Sequence, residues 1–391
     1  MSHSNATSEQ GSSGRQSHGL GEILRVFFRL GFIAFGGPPA HFALMEEEFV
    51  RRRAWLSRER FVDLVGAVSL LPGPSSTELA IYLGQIRGGA LGLLLAGMGF
   101  ILPSALLVTA LAWVYQQYGT IPQVAGLLSG VKPVVVVIVA QAIWSLGRTA
   151  LKSLSLGLLA GAAVLLAAWG APPVALLLGG GVLAILAAGE HRLSEKLLRR
   201  SLWWPLGGAV PAAVGASLSA VFLYFLKIGA VVFGSGFVLL AFLRADLVAH
   251  LHWLTDAQLL DAIAVSQATP GPFFTVATFI GYLLGGWRGA ALATLGMFLP
   301  AFLYVAATAR FLVRLRQSPL AGAFLDGVNA AAIALMGVVG WQFARATLLS
   351  PLALILVAVS GILLFRYRLN SAWLILGGAV AGFALSLFAG K

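Results

Sequence analysis

The 391-residue chain contains no cysteine, which excludes disulfides, thiolate metal sites and cysteine nucleophiles. Charge is scarce too: 10% of residues are charged against 59% hydrophobic, and the mean hydropathy is +0.90. No soluble fold covers that much apolar surface with so few charges, so the sequence reads as an all-α polytopic membrane protein. Also missing are the His-Glu-x-x-His, Gly-x-Ser-x-Gly and phosphate-loop Gly-Lys-Ser/Thr patterns and any Asp-rich metal-diphosphate motif, and with them the intramembrane enzymes and ATP-driven pumps they would mark. No cofactor and no metal is called for. The net charge of +12 does not point to nucleic acid, because the arginines sit in loops between apolar runs, where they report membrane orientation. Residues 1–18 are polar, lack an apolar core and read as a disordered tail, with no cleavable signal peptide.

What the sequence does have is a duplication. Leu71-Pro72-Gly73-Pro74-Ser75-Ser76-Thr77 and Thr269-Pro270-Gly271-Pro272-Phe273-Phe274-Thr275 lie 198 positions apart, and the same offset pairs Gly31 with Gly229, Phe35-Gly36 with Phe233-Gly234, Trp55 with Trp253 and Asp63 with Asp261. The expected organisation is a tail (1–18), a first repeat (19–189), a linker (190–216) and a second repeat (217–391). Eight apolar runs are long enough to cross a ~30 Å hydrocarbon core. They lie near 89–115, 124–146, 153–170 and 173–189, with copies near 288–309, 320–343, 348–365 and 371–388. Ahead of them in each repeat come two segments that Gly or Pro breaks, at Phe35-Gly36-Gly37-Pro38 (copy Phe233-Gly234-Ser235-Gly236) and at Pro-Gly-Pro. A helix broken at mid-depth strands N–H and C=O groups that lipid cannot satisfy, so each break must line a cavity or be buried in protein.

Loop charges set the orientation. Arg51, Arg52, Arg53, Arg58 and Arg60 follow the first broken segment, whereas 249–258 has no Lys or Arg; Arg310, Arg314 and Arg316 reverse the bias later in the chain. By the positive-inside rule the repeats are inverted, as in many secondary transporters. Keeping the Arg51–Arg60 loop, Arg87 and the N-terminus on one side makes the broken segments re-entrant hairpins. The apolar stretch 202–226 then crosses once, for nine crossings, with the N-terminus cytoplasmic and the C-terminus outside. The run His41–Arg53 reads as an interfacial amphipathic helix.

The stretches FGGPPAHFALMEEEFVRRRAWLSRERF, LLPGPSSTELAIYLGQIRGGALG and FILPSA, with FLKIGAVVFGSG, SQATPGPFFTVATFIGYLLGG, MFLPAF and FLDGVNAA in the second half, closely resemble the bacterial chromate ion transporter family in its long, two-domain form. The resemblance covers nearly the whole chain. It implies efflux of chromate across the bacterial inner membrane and chromate resistance; a sulfate or other tetrahedral-oxyanion carrier, or an anion channel of the same architecture, is the alternative. The expected partners are a small oxyanion and the lipid bilayer, with monomer or homodimer left open.

The residues suggest how an anion would be held. Pro74 followed by Ser75, Ser76 and Thr77 is a good helix start, and a helix N-terminus attracts anions. Two such ends, brought from opposite sides, would meet near the midplane and offer Ser75, Ser76, Thr77, Thr275 and the backbone of Gly36, Gly37, Gly234 and Ser235 to a dianion. The bland alternative is that Pro72, Gly73, Pro74, Pro270, Gly271 and Pro272 merely permit tight packing. Lys132 is either the anion's cationic partner or a snorkelling lysine. Arg29 and Lys227 occupy matching positions and, with Gln267 (whose copy is Ser69) and Glu78, are candidates for coupling. Glu78, about one turn from the proposed anion, must be paired with Lys132 or Arg87, protonated, or turned away. Asp63, Asp261 and Asp326 read as capping or solvated residues, and His41 as interfacial.

Overall fold

A computed structural model describes residues 10–119, 121–187, 216–233, 236–308, 319–348, 350–367 and 369–389. Among them every regular element is helical. The first half comprises α1 (Gln10–Ile33), α2 (Pro38–Glu46) continuing into a π-helical turn (Glu47–Arg52), α3 (Arg58–Val68), α4 (Ser75–Tyr118), α5 (Pro122–Ala150), α6 (Leu154–Ala168) and α7 (Pro173–Ala187). The second runs in the same order: α8 (Leu218–Val231), α9 (Val238–Leu243) with a π turn (Arg244–His250), α10 (Asp256–Ala268), a 3₁₀ turn (Phe273–Thr275) leading into α11 (Val276–Thr308), then α12 (Pro319–Thr347), α13 (Pro351–Tyr367) and α14 (Ser371–Ala389). Local signals recur with the elements: Ser57 caps α3 and Thr255 caps α10, each accepting from the backbone N–H three residues on. Both π turns end in a left-handed residue, Ala54 (φ 49°) and His252 (φ 52°).

The first correction concerns the tail. Helix α1 begins at Gln10, inside the stretch expected to be disordered. Ile23, Val26, Phe27 and Leu30 bury one face of α1, and once that face is docked, extending the helix towards the N-terminus is far easier than nucleating it. The linker 190–216 and the expected crossing over 202–226 lie outside the described residues up to 215; α8 occupies 218–231. Four described helical segments are long and apolar enough to cross a membrane, at 75–118, 126–150, 273–308 and 319–347, and five shorter apolar helices accompany them.

Two of the long elements are hairpins. In α4, Gly88 (φ −137°) and Gly89 (φ 60°, ψ −145°) reverse the chain, and in α11 Gly285 and Gly286 (φ 59°, ψ −147°) do the same. A positive φ with extended ψ suits glycine alone. The two limbs pack so closely that a Cβ on Gly84 would meet the Gly92 carbonyl at 2.3 Å, and one on Gly281 would meet Gly289 at 2.4 Å. Helix α1 lies along the second limb of α4, where Gly31 abuts Phe100 and Pro103 while Ile23 reaches Gly88 and Gly92. The chain then turns back. Glu22 pairs with Arg53, which also binds Glu48 (2.7 Å), and Arg87 lies 3.8 Å from Glu22 and 5.2 Å over the Trp55 ring. The hydrogen bond to Glu48, with the fields of Glu48 and Glu22, raises the proton affinity of Arg53 further. The start of α1, the end of the π turn and the bend of α4 are thus gathered at one end of the molecule.

Packing between halves is reciprocal. The Gly73 N–H donates to the Val232 carbonyl (2.7 Å) and the Gly271 N–H to the Ala34 carbonyl (2.8 Å). Helix α5 packs along α14 and α12 along α7, with Gly130 against Gly378 and Gly327 against Gly180 at backbone-contact distance, as small residues allow between membrane helices. Ser104, in the second limb of α4, meets Thr275 at 3.1 Å, and further on Tyr115 meets Phe279 and Asp261. The hairpins of the second half therefore open towards the Tyr118 end of α4, and those of the first towards its Gly88 end.

The run His41–Arg53 buries one face in the protein. His41, Met45, Glu48 and Phe49 are buried, with Phe49 stacked on Phe27 (4.9 Å), so this segment packs back onto α1. Its charges, Glu47 and Arg51 among them, lie on the other, more exposed face.

Candidate functional site

The Pro-Gly-Pro loops lie in the interior, where the breaks of both halves meet. Pro74 is the N-cap residue of α4, and only the Thr77 and Glu78 N–H groups turn back onto its carbonyl (2.8 and 2.9 Å). That leaves the Ser75 and Ser76 N–H groups without backbone partners among the described residues, facing a neck of about 20 Å³. Gly36, Gly37 and His41 line it from the first broken helix, Ser75 and Ser76 from α4, and Gly236, Phe237, Gln267, Phe273 and Phe274 from the second half. The neck holds roughly one water. It shares Gly37, Pro38, Ser75, Phe237 and Gln267 with a cavity of about 680 Å³ that continues past Ser69, Gln141, Ser145 and Asn329 to the Lys152–Asp326 ion pair (2.9 Å).

A second cavity of about 390 Å³ lies on the opposite side, lined by Ser129, Lys132, Asp256, Ala346 and Thr347. Its residues are repeat copies of the first: Ser129 matches Asp326, Lys132 matches Asn329, and Thr347 matches Ala150. Between it and the neck, Lys132 Nζ lies 3.2 Å from Asp261 Oδ1, and the Tyr115 hydroxyl donates to Asp261 Oδ2 (3.0 Å). The interior is thus open towards the Gly88 end of α4 and closed towards its Tyr118 end.

Several expected site residues converge: Ser75, Ser76, Gly36, Gly37, Pro74 and Gln267 line the neck. Pro72, Gly73, Pro270, Gly271 and Pro272 form the loops behind it, where Gly73 (φ 131°) and Gly271 (φ 92°) need glycine's freedom. Others do not converge. Lys132 lines the opposite cavity and is paired with Asp261. Asp261 is buried rather than solvated. Thr77 is fully buried and turned away from the neck, and the Thr275 hydroxyl donates to the Pro272 carbonyl. Arg29 and Lys227 lie on exposed faces of α1 and α8. Gly234 and Ser235 fall outside the described residues.

Glu78 is buried, and neither carboxylate oxygen has a hydrogen-bond partner among the described residues. Arg87 is engaged with Glu22 and Lys132 with Asp261, so neither pairs with it. Its carboxyl lies behind the loop, where a Cβ on Gly73 would come within 2.7 Å of Oε1. The residue missed in the sequence is His41, whose Nδ1 lies 3.1 Å from Ser76 Oγ and whose Nε2 lies 3.1 Å from the Ala34 carbonyl. A signal was there: its repeat copy is Leu239, a residue for an interior position.

Comparison with known proteins shows the family. The family model described as chromate transporter matches the chain twice, over residues 21–185 and 219–383. The chain belongs to the chromate transporter family. It is 32% identical over 384 residues to a chromate transport protein of Cupriavidus metallidurans, covering 93% of this chain and 92% of that one. Over 380 residues it is 32% identical to a chromate transport protein of Pseudomonas aeruginosa (92% and 91% covered), and over 325 residues 33% identical to a probable chromate transport protein of Synechococcus elongatus (81% and 82%). No solved structure matches. Each match of the chromate transporter model holds one Pro-Gly-Pro loop, so the neck is built from both copies of the family unit.

Proposed function

We propose that this chain carries chromate out of the cytoplasm across the bacterial inner membrane and so confers resistance to it. It does so as an inverted-topology pair of repeats, with the N-terminus cytoplasmic and the C-terminus outside. One observation carries the reading: the uncapped N-terminus of α4, with the Ser75 and Ser76 hydroxyls and the Gln267 amide, forms the floor of a cavity open at one end and closed at the other. A tetrahedral dianion needs several donors. The first-turn N–H groups, two hydroxyls and an amide supply them in a low-dielectric setting. On this reading the open end, which carries Arg51–Arg60 and Arg87, faces the cytoplasm, and the neck is constricted until the anion enters. The membrane potential supplies the driving force, since at ~2.3 kcal/mol per charge per 100 mV a dianion leaving a negative-inside cell gains about twice that.

Inside-out vesicles test the proposal. Under a lumen-positive potential they should accumulate chromate saturably, with sulfate competing less effectively. Ser75→Ala with Ser76→Ala should raise the KM about tenfold or more, as expected when hydrogen bonds to a charged group are lost. Vesicles that accumulate no chromate under that potential, or that prefer sulfate, would overturn the export of chromate.

A further inference from the structure

One titratable side chain among the described residues lining the neck has no part in the scheme above. His41 is 1% exposed, is wedged edge-on against Phe100 (5.7 Å between ring centroids), and bridges the Ala34 carbonyl and the Ser76 hydroxyl, both at 3.1 Å. A carbonyl only accepts, so Nε2 must carry a hydrogen. In the neutral ring Nδ1 is then an acceptor. Ser76 must donate its only hydroxyl hydrogen to it, and the oxygen lone pairs remain for the neck. In the charged ring Nδ1 becomes a donor, Ser76 Oγ accepts from it, and the hydroxyl hydrogen is released towards the neck.

We infer that His41 is a positioning residue that sets the polarity of Ser76: its protonation turns that hydroxyl from acceptor to donor and so ties oxyanion binding to uptake of one proton. This deepens the proposed function and rests on it. The proton goes to Nδ1 and no covalent bond other than N–H is made or broken. The linkage is reciprocal, in that a dianion in the neck favours the charged ring and the charged ring favours the dianion. The groups packed around His41 offer no rival cation. Helix α1 presents the Ala34 carbonyl, the second limb of α4 presents Phe100, and the first limb presents Ser76, with the buried Glu78 carboxyl two residues further on. Across the neck, α10 and the second loop present Gln267, Phe273 and Phe274, none of which titrates. Among these described residues, Glu78 is the other group that could produce a pH dependence. Tyr304, whose hydroxyl donates to the Ala230 carbonyl (2.9 Å), lies near Glu78. The second half has nothing comparable, with Leu239, Phe274 and Val276 at the positions of His41, Ser76 and Glu78.

His41→Gln isolates the effect. A glutamine amide donates to Ala34 and accepts from Ser76 as the neutral ring does, but it cannot take up a proton. The KM for chromate is measured in inside-out vesicles for the native protein, His41→Gln and Glu78→Gln, between about pH 7 and about pH 4, the acid window that a ring only 1% exposed requires. The ratio of variant to native cancels the protonation of chromate itself. For His41→Gln the ratio should climb about tenfold as the pH falls, the scale of one hydrogen bond to a charged group, and for Glu78→Gln it should stay level. A level ratio for His41→Gln, or a climb confined to Glu78→Gln, overturns the inference while leaving chromate export standing. If the native protein moves no chromate at any pH, the proposed function fails instead.

Discussion

The two halves share a backbone and differ in chemistry. Both bend at paired glycines, both carry a π turn ending in a left-handed residue, and each ties its Pro-Gly-Pro loop to the other's broken helix. Yet where the first half puts His41, Ser75, Ser76 and Glu78, the second puts Leu239, Phe273, Phe274 and Val276. Phe273 is stacked on Phe237 (5.6 Å), and together with Phe274 it walls the neck that the serines face. Glycine and proline set where the chain breaks, and backbone geometry is what the duplication kept. The polar side chains of the neck are unequally divided, with His41, Ser75 and Ser76 from the first half and Gln267 from the second.

The strongest way to break this contrast is to give the second half the first half's carboxyl. Val276 is fully buried, and Val276→Glu places an acid in the interior at the start of α11. The loss of stability should be several kcal/mol, read as a collapse in folded yield and melting temperature in detergent. An unchanged melting temperature would mean that both breaks tolerate a carboxyl and that the asymmetry is incidental.

The contrast between the two cavities can be sharpened with a matched pair of lysines. Lys132 faces a buried aspartate, whose side chain is 5% exposed, whereas the Lys152–Asp326 pair is 60% and 37% exposed. Lys132→Met should cost about 3 kcal/mol by stranding Asp261, and Lys152→Met less than about 1 kcal/mol. Thermal melts of both variants at matched pH check this, and equal losses would show that the closed side is as wet as the open one.

The smallest expected effect is one in which the halves should agree. Ala54→Gly and His252→Gly each relieve a left-handed conformation that costs a side-chain-bearing residue ~1 kcal/mol. Both should raise the melting temperature by a similar, small amount, and opposite signs would show that the two turns are not equivalent in solution.

Much of this was legible in the sequence because its punctuation is Gly and Pro. The breaks, the Pro-Gly-Pro loops and the convergence of Ser75, Ser76, Gly36, Gly37 and Gln267 all follow from a spacing that recurs. What could not be read was pairing across the halves. Lys132 and Asp261 are 129 positions apart, so nothing local distinguishes a paired lysine from a free one. His41 was hidden by its neighbours: the charges at 46–53 made the whole run look interfacial, although its first turns are buried. Glu78 was seen as a problem of charge, and the structure leaves that problem in place by giving it neither cation nor donor among the described residues.

The reciprocal Gly73–Val232 and Gly271–Ala34 hydrogen bonds also bear on how the protein is made. Val232 is encoded 159 residues after Gly73, from 232 less 73. At ~5–20 residues per second, the ribosome delivers the acceptor roughly 8–30 s after the donor. For that interval the first half has been synthesised but cannot close its own loop, and a bare N–H in hydrocarbon costs several kcal/mol. The nascent first half must therefore wait beside water or the insertion machinery, and the arrival of α8 is the step that commits the chain to its membrane-embedded form.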